Sequence, residues 1–153
     1  MARISYIYCD SCVFLAYFNA EINRIDVLES LFAHIKQDKN RKFITSVLTI
    51  AEVAHTYQEK SKRVLKVRLE NMLDAFWADE GLLEIADMSE IVARQARGLL
   101  RLAIHDGYGL KPPDAIHLAT AQLIKVEKFI TYDDLGRYAR WVGYPIVSPT
   151  IGI

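Results

Sequence analysis

KPPDAIHLATAQLIKVEKFITYDD, residues 111–134, decides the fold, because it passes from a helical pattern straight into a strand pattern. Its aspartates stand only at the head of the first and the tail of the second. Pro113 suits a first helical turn, where no N–H donor is needed. The residues after Asp114 are almost all apolar, as in a helix buried between neighbours. KFITY (128–132) is β-branched and aromatic, as in a parallel strand covered on both faces. An ionised Asp114 at the mouth of a buried helix is costly unless a helix N-terminus, a basic side chain or a metal ion meets it.

Working outward, the same alternation fills the chain. ISYIYC (4–9), KFIT (42–45), LLEIAD (82–87), KFITY (128–132) and YPIVS (144–148) read as strands. Helical patterns span 12–18, 24–38, 47–79 with a break near Ser61, 90–105, 113–125 and 134–142. Ser89 is placed as an N-cap, and HDGYG (105–109) ends the helix it opens. The order predicts an α/β fold: a three-layer α/β/α sandwich with a mainly parallel sheet of four to five strands. No repeat, low-complexity tract or linker divides the 153 residues, so one domain over 1–153 is expected. Nineteen basic and nineteen acidic residues balance, which excludes a whole-molecule basic field for holding nucleic acid. Any such contact must be local. The apolar run ISYIYCDSCVFLAYF carries Asp10 in its middle and no small-residue cleavage site after it, so a soluble cytoplasmic protein with no membrane segment is expected.

The acids follow a rule. Asp10 directly follows the first strand, and Asp133 and Asp134 follow the fourth. Glu52 lies in the first turns of the helix after the second strand, and Asp114 opens the helix before the fourth. In an open parallel sheet these places face one crevice beyond the strand C-termini. Carboxylates crowded there must protonate or share a cation. Mg²⁺ or Mn²⁺ prefers such oxygen ligands and pairs with phosphate substrates, so the implied chemistry is phosphoryl transfer to water. Plainer roles exist for each residue taken alone. Asp114 suits a helix dipole, worth about 0.3–1 kcal/mol. Glu52 completes a capping box with Thr49, unless Ser46 is the N-cap. One of Asp133 and Asp134 suits an N-cap of the next helix. Asp10 resists such a reading, since it interrupts the most apolar stretch of the chain.

YIYCDSCVFLAYF (6–18), TSVLTIAEV (45–53), KPPDAIHLATA (111–121) and FITYDD (129–134) resemble, in this order and spacing, the four acidic motifs of the PIN-domain family, most of all its VapC-type toxin ribonucleases. The resemblance covers nearly the whole chain, and PDAIHLATA followed by a strand ending in T-x-D is its most specific part. It implies that Asp10, Glu52, Asp114 and Asp133 are the catalytic, metal-binding acids. Asp133 is chosen over Asp134 because it stands two residues after Thr131. Ser11 and Thr131 match hydroxyl positions that support the acids or a bound water. The implied cofactor is Mg²⁺ or Mn²⁺, and the implied reaction is endonucleolytic cleavage of structured RNA to leave a 5′-phosphate. The implied partners are an antitoxin protein, in a type II toxin–antitoxin pair, and a second copy of the chain. One departure stands out: Cys12 occupies a place where similar proteins often have asparagine, and a thiol cannot copy an amide's donors and acceptor.

Other features have less definite readings. EKSKRVLKVRLE (59–70) offers five basic residues, either a phosphate-facing strip or a solvated helix face. Lys111 is nearer the expected crevice. His117 shares a helix face with Asp114 and reads as a packed histidine bonded to an adjacent helix; His105 and His34 lack even that proximity. Tyr108, Tyr138 and Trp141 suit either partner contacts or core. Two rivals to the nuclease reading remain. One is a PIN-fold binding component, or weakly active relative, acting through protein or RNA partners. The other is a thiol redox protein built on the C-x-x-C of Cys9 and Cys12, a motif awkwardly placed because Cys9 belongs to the strand.

Overall fold

The computed structural model describes residues 3–152. In chain order the elements are β1 (Ser5–Cys9), α1 (Ser11–Phe18), α2 (Ile25–Gln37), β2 (Arg41–Ser46), α3 (Leu48–Glu52), α4 (Tyr57–Lys62), α5 (Val67–Trp77), β3 (Leu83–Ala86), α6 (Glu90–His105), α7 (Pro112–Ile124), β4 (Lys128–Ile130), a 3₁₀ turn (Gly136–Tyr138), α8 (Ala139–Val142) and β5 (Ile146–Val147). The strands form one five-stranded sheet in the order β3-β2-β1-β4-β5, and every neighbouring pair is parallel.

Side chains alternate across a pleated strand, and here both faces are apolar. Ile7 and Cys9 of β1 point, with Phe43 of β2 and Ile130 of β4, into a core that includes Phe14 of α1, Leu28 of α2 and Leu73 of α5. Tyr8, Ile44 and Phe129 point the other way, onto Leu99 of α6, Leu118 of α7 and Val142 of α8. Two cores on opposite faces of one sheet make the three expected layers. Within the second core, Phe129 stacks between Tyr8 at 4.8 Å and Tyr144 at 6.0 Å between ring centroids. No helix among the described residues is long and apolar enough to cross a membrane.

The segment 47–79 has the expected break near Ser61, at Arg63, and departs from expectation in having another, which makes it three helices. The first break follows Val53, and Thr56 then caps α4. The second is at Arg63, whose φ of 53° is left-handed. Glu59 spans this second break, accepting from Thr56 N at 3.0 Å and Lys66 N at 2.8 Å. The capping box therefore forms at Thr56 and Glu59, not at Thr49 and Glu52. Thr49 instead bonds the Thr45 hydroxyl at 2.7 Å, and Ser46 Oγ accepts from Leu48 N at 3.1 Å. The region 134–142 is also shorter than expected. Its helix is preceded by the 3₁₀ turn, and neither Asp133 nor Asp134 caps it with its carboxylate. Asp134 pairs with Arg137 at 3.0 Å instead.

Candidate active site

Strand β1 is the switch point of the sheet, because the chain moves from it to β2 on one side and later to β4 on the other. Ligands of open α/β sheets bind beyond the strand C-termini at such a point. Asp10 leaves β1 there as the N-cap of α1, its Oδ1 accepting from Ser11 N at 2.8 Å. Its Oδ2 accepts from the Thr131 hydroxyl at 2.7 Å, just beyond β4. Thr131 Oγ1 in turn accepts from Asp133 N at 3.0 Å, which fixes how the chain leaves β4. One hydroxyl thus ties two strand ends together. Asp10 is only 1% exposed. Burial pushes its pKa up and Asp133 adds to this, against the lowering effect of His117 and of the bonds from Thr131 and Ser11.

Glu52 reaches the site through a histidine. His117 Nε2 lies 2.5 Å from Glu52 Oε1 and 3.9 Å from Asp10 Oδ1. On its other side, Nδ1 lies 2.6 Å from Tyr8 Oη, which also accepts from Ser46 N at 3.0 Å. Burial alone would lower the His117 pKa, but the bond to Glu52 and the charges of Asp10, Glu52 and Asp114 outweigh it and raise the value. The packed histidine expected from sequence therefore also bridges Glu52 and Tyr8 beside Asp10. Its signal was present: a lone imidazole three residues after Asp114 in an otherwise apolar helix. Removing the hydroxyl by Tyr8→Phe leaves buried Nδ1 and Ser46 N–H without their partner. This is expected to lower unfolding stability by about 1–3 kcal/mol, measured by urea denaturation.

Asp114 opens α7 half-buried, and its pKa is pushed up to about 6, first by burial and then by Asp10 and Asp133. Asp114 and Asp133 line an open cavity of about 300 Å³ together with Lys111, Asp134, Leu135 and Tyr138. Asp10, Cys12 and Asp133 offer ligand atoms within 4.8 Å of one another. Mg²⁺–oxygen distances of about 2.0–2.1 Å place opposite ligands about 4.2 Å apart, comparable to the spacing of the Asp10 and Asp133 oxygens in this cluster. The thiol suits such an ion poorly. Burial and Asp10 push the Cys12 pKa far up, so it remains an S–H group beside Asp10 Oδ2 at 3.6 Å and Thr131 Oγ1 at 3.2 Å. Cys9 is fully buried and its thiol is also raised, the reverse of the lowered pKa that redox C-x-x-C motifs require.

The fold and the site together define a parallel α/β protein with an acid-lined crevice at its switch point. The PIN-domain family model matches residues 7–139, and the chain belongs to that family. No curated protein sequence matches it. Solved structures with the same fold include VapBC2 from Rickettsia felis, bound to a DNA fragment from its promoter, with TM-score 0.70 and 17% identity over 92% of this chain and 96% of that one. VapC20 of Mycobacterium tuberculosis, described as a sarcin–ricin loop cleaving toxin, gives TM-score 0.62 and 19% identity over 84% of this chain and 91% of that one. A toxin–antitoxin complex from Klebsiella pneumoniae gives 0.56 and 23% over 94% and 97%.

Proposed function

We propose that this PIN-family chain is a metal-dependent endoribonuclease, the toxin of a type II toxin–antitoxin pair, formed as one domain over residues 1–153 and acting in the cytoplasm. The observation that carries the reading is the crowding of Asp10, Asp114 and Asp133 at the switch point, with Asp10 and Asp114 held above the usual carboxylate range. Groups so arranged favour a shared divalent counterion. In this reading Asp10, Asp114 and Asp133 hold Mg²⁺ or Mn²⁺, and Glu52 assists nearby or through a water. Such an ion, when bound, lowers the pKa of an attacking water and stabilises charge on the phosphoryl oxygens.

The chain's own contribution is positional. The Ser11 N–H and Thr131 hydroxyl hold both oxygens of Asp10, and His117 holds the Glu52 carboxylate against α7. Asp133 stands exposed at the lip, where substrate arrives. The toxin and toxin–antitoxin descriptions of VapC20 and of the Klebsiella pneumoniae complex support an RNA substrate and an antitoxin partner here. A homodimer is the assembly we propose. A second reading, a binding component or weakly active relative, is favoured by Cys12 standing where an amide is usual. The deciding experiment incubates purified protein with a structured RNA and Mn²⁺, then with EDTA. Cleavage to 5′-phosphate ends that stops in EDTA is expected. Cleavage that persists in EDTA removes the metal scheme, and none with metal favours the second reading.

A further inference from the structure

Of the three ligand atoms that meet within 4.8 Å at the crevice, from Asp10, Cys12 and Asp133, one is sulfur. The three residues run from buried through half-buried to exposed, so an ion can reach them from the Asp133 side. Cys12 is a free thiol on the second residue of α1. The β1–β4 register, which sets Cys9 opposite Ile130, brings it against the segment that leaves β4. Its sulfur lies 3.6 Å from Asp10 Oδ2 and 3.2 Å from Thr131 Oγ1, and accepts from Tyr132 N at 3.3 Å. The Thr131 hydroxyl already donates to Asp10 Oδ2. The thiol proton is therefore the one an ion can displace between sulfur and carboxylate.

Two carboxylates and a thiol suit Mg²⁺ poorly, since it takes oxygen ligands in an octahedron. They suit Zn²⁺ well, since it takes nitrogen, oxygen and sulfur in a tetrahedron, and a thiol that coordinates it gives up its proton. The spacing agrees. With Zn–S of about 2.3 Å and Zn–O of about 2.0–2.2 Å, a tetrahedral angle sets sulfur and oxygen about 3.5–3.7 Å apart. Cys12 Sγ and Asp10 Oδ2 already stand 3.6 Å apart. The Tyr132 N–H then becomes an outer contact of the bound sulfur, of the kind that orients metal ligands. An amide at position 12 offers no soft donor, so this preference comes from the one residue in which the chain departs from the usual pattern.

Resting on the reading of this crevice as a divalent-ion site, we propose that Cys12 is itself a metal ligand, and that Asp10, Cys12 and Asp133 hold Zn²⁺ tetrahedrally in preference to Mg²⁺ or Mn²⁺. As the zinc–sulfur bond forms, the thiol proton passes to bulk water and no oxidation state changes. Three protein ligands leave the fourth position to water. Zn²⁺ seated there competes for Asp10 and Asp133 with the ion of the cleavage reaction.

The test reads the metal–sulfur bond itself. Co²⁺, a coloured stand-in for Zn²⁺, is titrated into the full chain with air excluded and followed by absorbance. A thiolate-to-cobalt charge-transfer band in the near ultraviolet is expected, together with the intense visible bands of tetrahedral cobalt. Stoichiometric Zn²⁺ should bleach both, and a large excess of Mg²⁺ should leave them. In Cys12→Ser the charge-transfer band is expected to vanish. The Zn²⁺ dissociation constant, measured against a chromophoric chelator, should rise there by about 100-fold, the upper end of what losing even a supporting residue costs a metal site. Cys12→Asn should show the same loss for Zn²⁺ while Mn²⁺ still raises its melting temperature. Melting curves establish that each variant is folded. Cobalt bound without the charge-transfer band, or a band that survives in folded Cys12→Ser, overturns the proposal and leaves the acids as an oxygen-only ion site. Thiolate-bound cobalt in a protein that cleaves no RNA with any metal would defeat the nuclease reading and leave this site standing. Failure of Co²⁺, Zn²⁺ and Mn²⁺ alike to bind overturns both.

Discussion

With Asp114 replaced by asparagine, RNA cleavage is expected to fall by about 1,000-fold, while the metal-free variant melts at a higher temperature than the native chain at about pH 7.5. The first effect follows from several kcal/mol of transition-state charge stabilisation lost with an acidic ligand, at about 1.4 kcal/mol per factor of ten. The second follows from the folded-state pKa of about 6, against an ordinary value of 3.8. Below both values Asp114 is protonated in either state and contributes no pH dependence. As pH rises between them, the unfolded chain ionises freely and the folded chain resists, so stability falls, and above about 6 the loss is complete. Asparagine escapes this loss. The melting difference between variant and native chain should therefore be near zero at about pH 4 and widest above about 7. Differential scanning fluorimetry over that range measures it. A variant less stable at every pH would show that Asp114 has a structural partner and would remove the crowding on which the functional reading stands. Asp10→Asn should also abolish cleavage, but it alters the acceptor of the Thr131 hydroxyl, so its melting curve is a poorer gauge of charge.

Adding Mn²⁺ is expected to stabilise the native protein strongly. At about one hundred times its dissociation constant, an ion bound only by the folded state contributes about 2.7 kcal/mol. For a chain of this size that raises the melting temperature by about 5–10 °C. The shift should be larger at pH 8 than at pH 5, because ligating carboxylates must lose their protons and Asp114 holds its proton to about pH 6. Melting with and without EDTA, in the native chain and in Asp10→Asn, reads the effect directly. An equal shift in both proteins would send the ion elsewhere on the surface and deprive Asp10 of its assigned role.

Much of this architecture is short-range information. The alternation of buried strands and apolar-faced helices, the N-cap at Ser89 and the proline-led start of α7 are set by hydrophobic periodicity and by which residues satisfy the first N–H groups of a helix. Those same rules put acids at strand ends and helix heads. Where two local solutions were equally good, sequence could not choose. Thr49–Glu52 and Thr56–Glu59 both have capping-box spacing, but α3 begins at Leu48, so Thr49 lies inside the helix, and the Glu52 carboxylate meets His117, 65 residues away in sequence. The break at Arg63 is held more locally, by Glu59 bonding across it to Lys66 seven residues on.

The sequence by itself determined the layered parallel fold and which acids sit at its rim, because strand and helix periods and their boundary residues act within a few positions of the chain. Only the tertiary structure decided that the Thr131 hydroxyl, the Cys12 thiol and the His117 imidazole would meet Asp10, and that Arg137 and Arg140 would lie on Tyr108. Those contacts join residues up to 121 positions apart. Their geometry depends on strand order and on how the helices pack over the sheet, quantities that no local spacing encodes.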